Sequence, residues 1–338
     1  MAENPYHNYI DPTSKIFSHP EILTKFMNGS QIYPISIEMD LSDNCNLKCN
    51  WCRYAEGHKP NVMSLQLAKK ILSEAQSLGV KSVVYSGGGE PLLNPEFELI
   101  TKAAAQAGLD QGIYTNGCFI DAQIEPLSHL MKFIYISLDA ATKETYERIK
   151  HSNQFEHVLR NIRILAEQEG KAKVGLGFLV SPENSDEIEM FADFLDRFDV
   201  DYIHYRPAIV NDIDKRWLKS VIRRLQKIEG QRTIVANYKF QELLNDGSRT
   251  YKECFGHYFL SGITADGIVW LCLNHRYHEQ FKLGDANTEP LCDIWSEKRI
   301  REVKKELDIS KCPILCRPHE LNKVLDALIK GNEHANFL

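Results

Sequence analysis

The sequence predicts an α/β protein: a partial (β/α)6 barrel of parallel strands, followed by a small domain made of a β-hairpin and helices. Three observations lead there. Short β-rich runs alternate with amphipathic helical patterns from about residue 34 to residue 230, as βαβ units on a parallel sheet do. Several of those runs alternate polar with apolar residues, so one face packs under helices and the other is polar. After residue 230 the pattern changes, and five of the nine cysteines fall between 254 and 316. The expected organisation is an N-terminal extension at 1–33, the barrel at 34–230 and the cysteine-bearing domain at 231–338.

The strand candidates are 34–42, 82–86, 112–116, 132–139, 173–181 and 201–209. Amphipathic stretches at 65–78, 97–107 and 156–168 lie between them. In the first strand Ile35, Ile37, Met39 and Leu41 alternate with Ser36, Glu38, Asp40 and Ser42. In the fourth, Tyr135, Ser137 and Asp139 alternate with Ile134, Ile136 and Leu138. In the sixth, Tyr202, His204 and Arg206 alternate with Ile203, Tyr205 and Pro207. A dry interior would not hold Glu38, Asp40 and Arg206 without partners. The alternation therefore implies a wet, polar lumen suited to a polar substrate, or else an internal ion-pair network. Beyond the barrel, 263–273 reads as a hairpin around Asp266-Gly267, with helical patterns at 290–307 and 319–330.

Composition bounds the function. The chain has 338 residues, 43% apolar and 25% charged, with a net charge of −6, and a pI near 6.1. This balance argues against a nucleic-acid or anionic-membrane surface as main partner. The first fifteen residues hold no apolar signal-peptide core, and no apolar run approaches a membrane span. A cytoplasmic protein is expected, in which clustered cysteines read as metal or redox sites rather than disulfides.

The segment Cys45-Asn-Leu-Lys-Cys49-Asn-Trp51-Cys52 follows the first strand directly. Thiolates are soft ligands that suit iron–sulfur clusters or zinc. Three in eight residues leave one metal position open, whereas structural zinc takes four protein ligands. This Cys-x3-Cys-x2-Cys spacing, with an aromatic before the last cysteine, resembles the signature of the radical S-adenosylmethionine (SAM) superfamily. Other segments resemble it in order: Ser86-Gly-Gly88-Gly89-Glu90-Pro91 after the second strand, Thr115-Asn116-Gly117 after the third, Ile136-Ser137-Leu138-Asp139 at the fourth, and Gly175-Leu-Gly177 with Asn184 at the fifth. Lys150 stands where many relatives place an arginine.

The resemblance implies a [4Fe–4S] cluster on Cys45, Cys49 and Cys52, and SAM contacts from Trp51, Gly88, Gly89, Glu90, Ser137, Lys150 and Asn184. It implies reductive cleavage of SAM, a 5′-deoxyadenosyl radical that abstracts a substrate hydrogen atom, and an electron donor such as flavodoxin or ferredoxin. Cys254-x12-Gly267-x4-Cys272, with Cys312 and Cys316, resembles the auxiliary domain of the SPASM and twitch subfamilies, here the shorter form with one further [4Fe–4S] cluster. A structural zinc site is the alternative for those four.

Two cysteines remain. Cys118 and Cys292 read either as buried hydrophobes or as hydrogen-atom donors for an epimerase. The lumen residues Glu38, Asp40, Tyr202 and Arg206 are candidate substrate contacts, and His204 a candidate proton acceptor. The expected reaction is epimerisation or oxidation of a polar small molecule such as a sugar or aminocyclitol. Modification of a ribosomal peptide, GTP cyclisation and a non-enzymatic zinc-binding protein are the alternatives.

Overall fold

The structure, a computed structural model, describes residues 12–55, 58–170, 172–209, 213–230, 232–245 and 249–331. Of the N-terminal extension, residues 1–11 lie outside the described residues. The strands are β1 (Ser36–Met39), β2 (Ser82–Tyr85), β3 (Asp110–Thr115), β4 (Phe133–Ser137), β5 (Lys173–Val180), β6 (Tyr202–Pro207), β7 (Thr233–Val235), β8 (Leu260–Ile263), β9 (Ile268–Trp270) and β10 (Lys282–Asp285). They form one sheet in the order β10-β9-β8-β1-β2-β3-β4-β5-β6-β7. Every neighbouring pair from β1 to β7 is parallel. The two ends of the sheet do not pair, so the barrel is open.

The period-2 and period-3.6 patterns produce this directly. Ile37 and Met39 of β1 are fully buried, and their register partners are Val83 and Tyr85. The helix Leu65–Ser77 starts at Ser64, whose side chain accepts from the Leu67 N–H, and buries Leu67, Ala68, Ile71, Leu72 and Ala75. That spacing puts one apolar stripe on the sheet. The helix Phe155–Ala166 does the same with Phe155, Val158, Leu159, Ile162 and Leu165.

Two features extend the expected plan. A seventh parallel strand, β7, lies past residue 230 and pairs with β6. The hairpin β8–β9 is not detached: β8 pairs in parallel with β1, Glu38 opposite Gly262, and β10 adds an antiparallel third strand. The cysteine-bearing segment thus continues the barrel sheet at its first strand. Gly267 sits at the hairpin turn with φ +87°, a conformation that glycine adopts without strain. The predicted helix 290–307 is two helices, Leu291–Ile294 and Glu297–Lys304. The N-terminal helix Pro20–Met27 braces the C-terminal part, with the Phe26 ring 5.7 Å from Phe255 and 5.2 Å from Phe259. Among the described residues no helix is long and apolar enough to cross a membrane.

Candidate functional site

The Cys45–Cys52 loop leaves β1 and is held from three sides. Its backbone N–H groups at Lys48 and Asn50 donate to the carbonyls of Lys150 and Ile149, the last residues of the helix Lys143–Lys150. Those carbonyls would otherwise be unsatisfied. Asn116, past the end of β3, donates to Asn46 Oδ1 at 2.7 Å. The third anchor is the Gly-rich turn, where the Glu90 N–H donates to the Asn44 carbonyl at 2.9 Å. The glycines are explained by what flanks them. A Cβ on Gly87 would strike Asp40 and Arg276, one on Gly88 would strike Asp43 and Tyr277, and one on Gly89 would enter the Asn44 backbone.

Glu90 is 2% exposed. Its carboxylate accepts from the Thr115 hydroxyl (2.7 Å), the Asn116 N–H (2.8 Å) and the Leu92 N–H (3.1 Å). Burial pushes its pKa up to about 7, against the pull of those three donors. Its first task here is to tie the ends of β2 and β3 to the cysteine loop.

Lys150 is buried and ion-paired with Asp139. Burial lowers its pKa, but Asp139 and the neighbouring Cys49 sulfur more than offset that, and it stands raised. Asp139 has φ +62°; its other carboxylate oxygen accepts the Leu179 N–H. Asn184 corrects an expectation. Its amide donates to the carbonyls of Asp139 (2.8 Å) and Leu179 (2.9 Å), and its oxygen accepts from the Ser181 N–H and hydroxyl. Both donors and both lone pairs are used, so Asn184 locks the turn after β5 and has no polar atom left for a ligand. Trp51 is 9% exposed and belongs to the main apolar core. Ser137 is half-buried on the lumen face, opposite Gly177.

The lumen differs from a simply polar cavity. Tyr135, Tyr202 and Ile234 form a cluster of their own, apart from the main core, with Tyr114 and Phe133 packed against it. Gly175 leaves room for the Tyr202 ring and Gly177 for that of Tyr135. His204 packs edge-on to Tyr135, centroids 6.0 Å apart. Arg206 lies over the same ring at 5.0 Å. Glu38 and Asp40 are committed to ion pairs, which corrects their reading as open substrate contacts. Arg276 Nη2 lies 2.7 Å from Glu38 Oε1 and 3.6 Å from Asp40 Oδ1, and Arg317 pairs with the other Glu38 oxygen. Burial raises the Asp40 pKa to about 7 even with Arg276 beside it. Gly262 on β8 makes the space that Arg276 fills. Sequence reasoning missed both arginines, which lie 238 and 279 residues from Glu38.

The second cysteine set gathers behind this network. Cys254, Cys272 and the pair Cys312 and Cys316 come from three loops, close enough for their sulfurs to act on one another. Burial, with Cys254 next, pushes Cys272 up to about 12. Amide donors point at the sulfurs: Asn274 Nδ2 to Cys316 Sγ at 3.3 Å, the Asn274 N–H to Cys272 Sγ at 3.4 Å, and Asn322 Nδ2 to Cys254 Sγ at 3.3 Å. The Asn322 oxygen also accepts the N–H groups of Phe255 and Gly256. The two cysteine loops touch. Arg53 donates to Asn274 Oδ1 at 3.1 Å, and Arg276 Nη1 to the Tyr54 hydroxyl at 3.1 Å.

These residues fit iron–sulfur clusters. Burial raises the Cys45 thiol to about 12, so its deprotonation needs a positive metal centre. N–H donors aimed at sulfur are the hydrogen bonds by which proteins tune such clusters.

Of the two spare cysteines one is buried in the apolar core and the other is exposed. Cys118 is 4% exposed and part of the main core; its side-chain neighbours are Asn46 of the cysteine loop and Tyr146 of the helix Lys143–Lys150, and His157 bonds its carbonyl. Cys292 is exposed. In its helix Leu291 and Ile294 face inward, which turns Cys292 out to solvent.

Comparison with known proteins agrees with this architecture. Residues 39–195 match the radical SAM superfamily, and residues 254–317 match the SPASM iron–sulfur cluster-binding domain. The second match begins at Cys254 and ends just past Cys316. The chain belongs to the radical SAM superfamily, with a C-terminal SPASM-type domain. Two [4Fe–4S] clusters and SAM are the cofactors of such a pair of domains.

The chain is 26% identical over 294 residues to the GTP 3′,8-cyclase of Chlorobaculum tepidum, covering 80% of this chain and 87% of that one. It is 31% identical over 143 residues to the GTP 3′,8-cyclase of Synechocystis, where the match covers 41% of this chain and only 43% of the relative. With the mycofactocin maturase MftC of Mycobacterium tuberculosis it shares 28% over 182 residues, 53% of this chain and 46% of that protein. The crystal structure of Streptococcus suis SuiB bound to precursor peptide SuiA has the same fold, with TM-score 0.66 at 18% identity over 93% of this chain and 76% of that one.

Proposed function

We propose that the protein oxidises a polar small molecule held in the barrel lumen, using one cluster on Cys45, Cys49 and Cys52 with SAM, and a second on Cys254, Cys272, Cys312 and Cys316. When bound, these groups supply a hydrogen-abstracting radical and a one-electron acceptor. In this reading the barrel of 34–230 and the auxiliary domain of 231–338 hold one group each. A flavodoxin- or ferredoxin-type protein delivers the starting electron.

The observation that carries oxidation over epimerisation is the position of the spare thiols. Epimerisation needs a hydrogen-atom donor on the opposite face of the substrate. Cys118 is buried in the apolar core against Asn46 of the cysteine loop and Tyr146, and Cys292 is exposed to solvent. Oxidation needs only an exit for an electron and an acceptor for a proton. The substrate then loses a hydrogen atom, an electron and a proton, which make up a two-electron oxidation. His204 on the lumen face supports the proton step, and the Arg53–Asn274 contact supports electron passage between the two cysteine loops.

A second reading, modification of a peptide, is favoured by the MftC match. Anaerobic turnover in deuterated water separates the possibilities. Candidate sugars and aminocyclitols should give 5′-deoxyadenosine and a product two electrons more oxidised, without solvent deuterium at carbon. Solvent deuterium at an inverted carbon would overturn oxidation, and turnover of peptides alone would favour the second reading.

A further inference from the structure

Four cations reach the lumen region: Arg206, Lys239, Arg276 and Arg317. Two are neutralised, because Arg276 and Arg317 divide Glu38 between them and Arg276 also faces Asp40. The other two are not. Arg206 stands on the lumen face of β6, over the Tyr135 ring, and its buried Nε has no acceptor. Asp139, which acts on Arg206 from a distance, is committed to Lys150. Lys239 lies in the first turn of the helix Asn237–Leu244, which follows β7, the strand beside β6. Among the described residues no carboxylate comes within ion-pair distance of either. Glu242, one turn on from Lys239, and the Cys316 sulfur act on Lys239 from beyond that distance.

Both side chains are half-buried, with part of their surface still open. Burial, followed by the charge of Arg206, pulls the Lys239 pKa down to about 8. Two cations held near each other inside a protein with no carboxylate at ion-pair distance cost stability, and an anion from outside relieves that cost.

We propose that Arg206 and Lys239 form an anion subsite in the lumen that takes a dianionic group of the substrate, a phosphate monoester. Two cations with no ion-pair partner among the described residues match two negative charges, which one phosphate monoester carries and one carboxylate does not. Arg offers a planar fork to such a group and Lys a point charge. The inference rests on the reading of the lumen as the substrate chamber, and it narrows the substrate from polar to phosphorylated.

The test uses the full chain with its clusters, under anaerobic conditions at constant ionic strength. Glycerol 3-phosphate and acetate are titrated by calorimetry, and their effect on the melting temperature is recorded. The wild type should bind glycerol 3-phosphate at least about tenfold more tightly than acetate. R206Q and K239Q should each weaken that binding by about 10- to 100-fold, while K132Q, on the exposed Lys132, should leave it unchanged. Because neither cation has an ion-pair partner among the described residues, K239M should melt no lower than wild type without phosphate ester and should lose the stabilisation that the ester gives. SAM should bind wild type, R206Q and K239Q equally. The proposal is overturned if wild type binds no phosphate ester, if neither variant weakens binding, if acetate binds equally well, or if SAM affinity falls in step. SAM cleavage by the wild type is measured separately. Its failure would defeat the radical reading and leave the anion result standing.

Discussion

Arg276 joins the two halves of the protein, and removing it has a calculable cost. Its side chain is fully buried, as is that of Asp40, and that of Glu38 is 5% exposed. Arg276→Met keeps much of the volume but leaves Glu38 with Arg317 alone and Asp40 with no cation. It also removes the bond to the Tyr54 hydroxyl and the stacking over that ring, 5.3 Å away. Removing one partner of a buried pair costs about 3–5 kcal/mol, and the lost cation–π contact adds about 0.5–2 kcal/mol. The variant should therefore lose about 3–6 kcal/mol of unfolding free energy at pH 8.

The loss should be pH-dependent. Asp40 already has a raised pKa of about 7, because burial outweighs Arg276. Without the arginine its pKa rises further. Above about pH 7 the variant's native state then binds more protons than the wild type's, so its deficit shrinks as pH falls from 8 through 7 and levels off below. Urea unfolding of the reconstituted protein, followed by tryptophan fluorescence at pH 8 and pH 6, measures both effects. E38Q/D40N/R276M, which removes the stranded charges, should recover much of the loss. A cost below 1 kcal/mol for R276M, or a triple variant as unstable as the single one, would refute the network as described.

Three further outcomes follow from the site. Asn184→Ala should destabilise by about 2–4 kcal/mol, from stranded backbone groups, while SAM affinity of the folded fraction, measured by equilibrium dialysis, stays unchanged. Cys118→Ala should cost about 1 kcal/mol through a small cavity and Cys292→Ala nothing, both retaining 5′-deoxyadenosine formation. Asn274→Ala removes an N–H donor that favours the more negative, reduced state of the auxiliary site. Its midpoint potential should fall by about 20–60 mV, one hydrogen bond of 0.5–1.5 kcal/mol carried by one electron, as read by potentiometric electron paramagnetic resonance.

Much of the fold was legible because it rests on local periodicity. The alternation of Ile37 and Met39 with Glu38 fixes which face of β1 meets the helices, and Leu67, Ile71 and Ala75 define a helix face without help from afar. What joins distant segments was not. The pairing of β8 with β1 and the salt bridges from Arg276 and Arg317 to Glu38 span more than two hundred residues, and no local pattern announces them. Cys292 was a different case. Leu291, Ile294 and Trp295 stand at i, i+3 and i+4 around it, so the helical period itself turned that thiol away from the lumen. Asn184 was ambiguous for a chemical reason: an amide that binds a ligand and one that closes a turn look alike until its partners are seen. The placing of Cys45, Cys49 and Cys52 on one loop after β1 was legible because it needs only the chain between them.

The central claim is that two separate cysteine sets hold two clusters and that only the first supports SAM cleavage. Iron content with 5′-deoxyadenosine formation, measured on anaerobically reconstituted wild type and on C45A/C49A/C52A, tests it most directly. Wild type should hold about eight irons per chain, four for each cubane, and release 5′-deoxyadenosine with dithionite. The triple variant should keep about four irons and release none. A triple variant that still cleaves SAM or keeps all its iron, or a wild type that carries zinc in place of iron, would contradict the account.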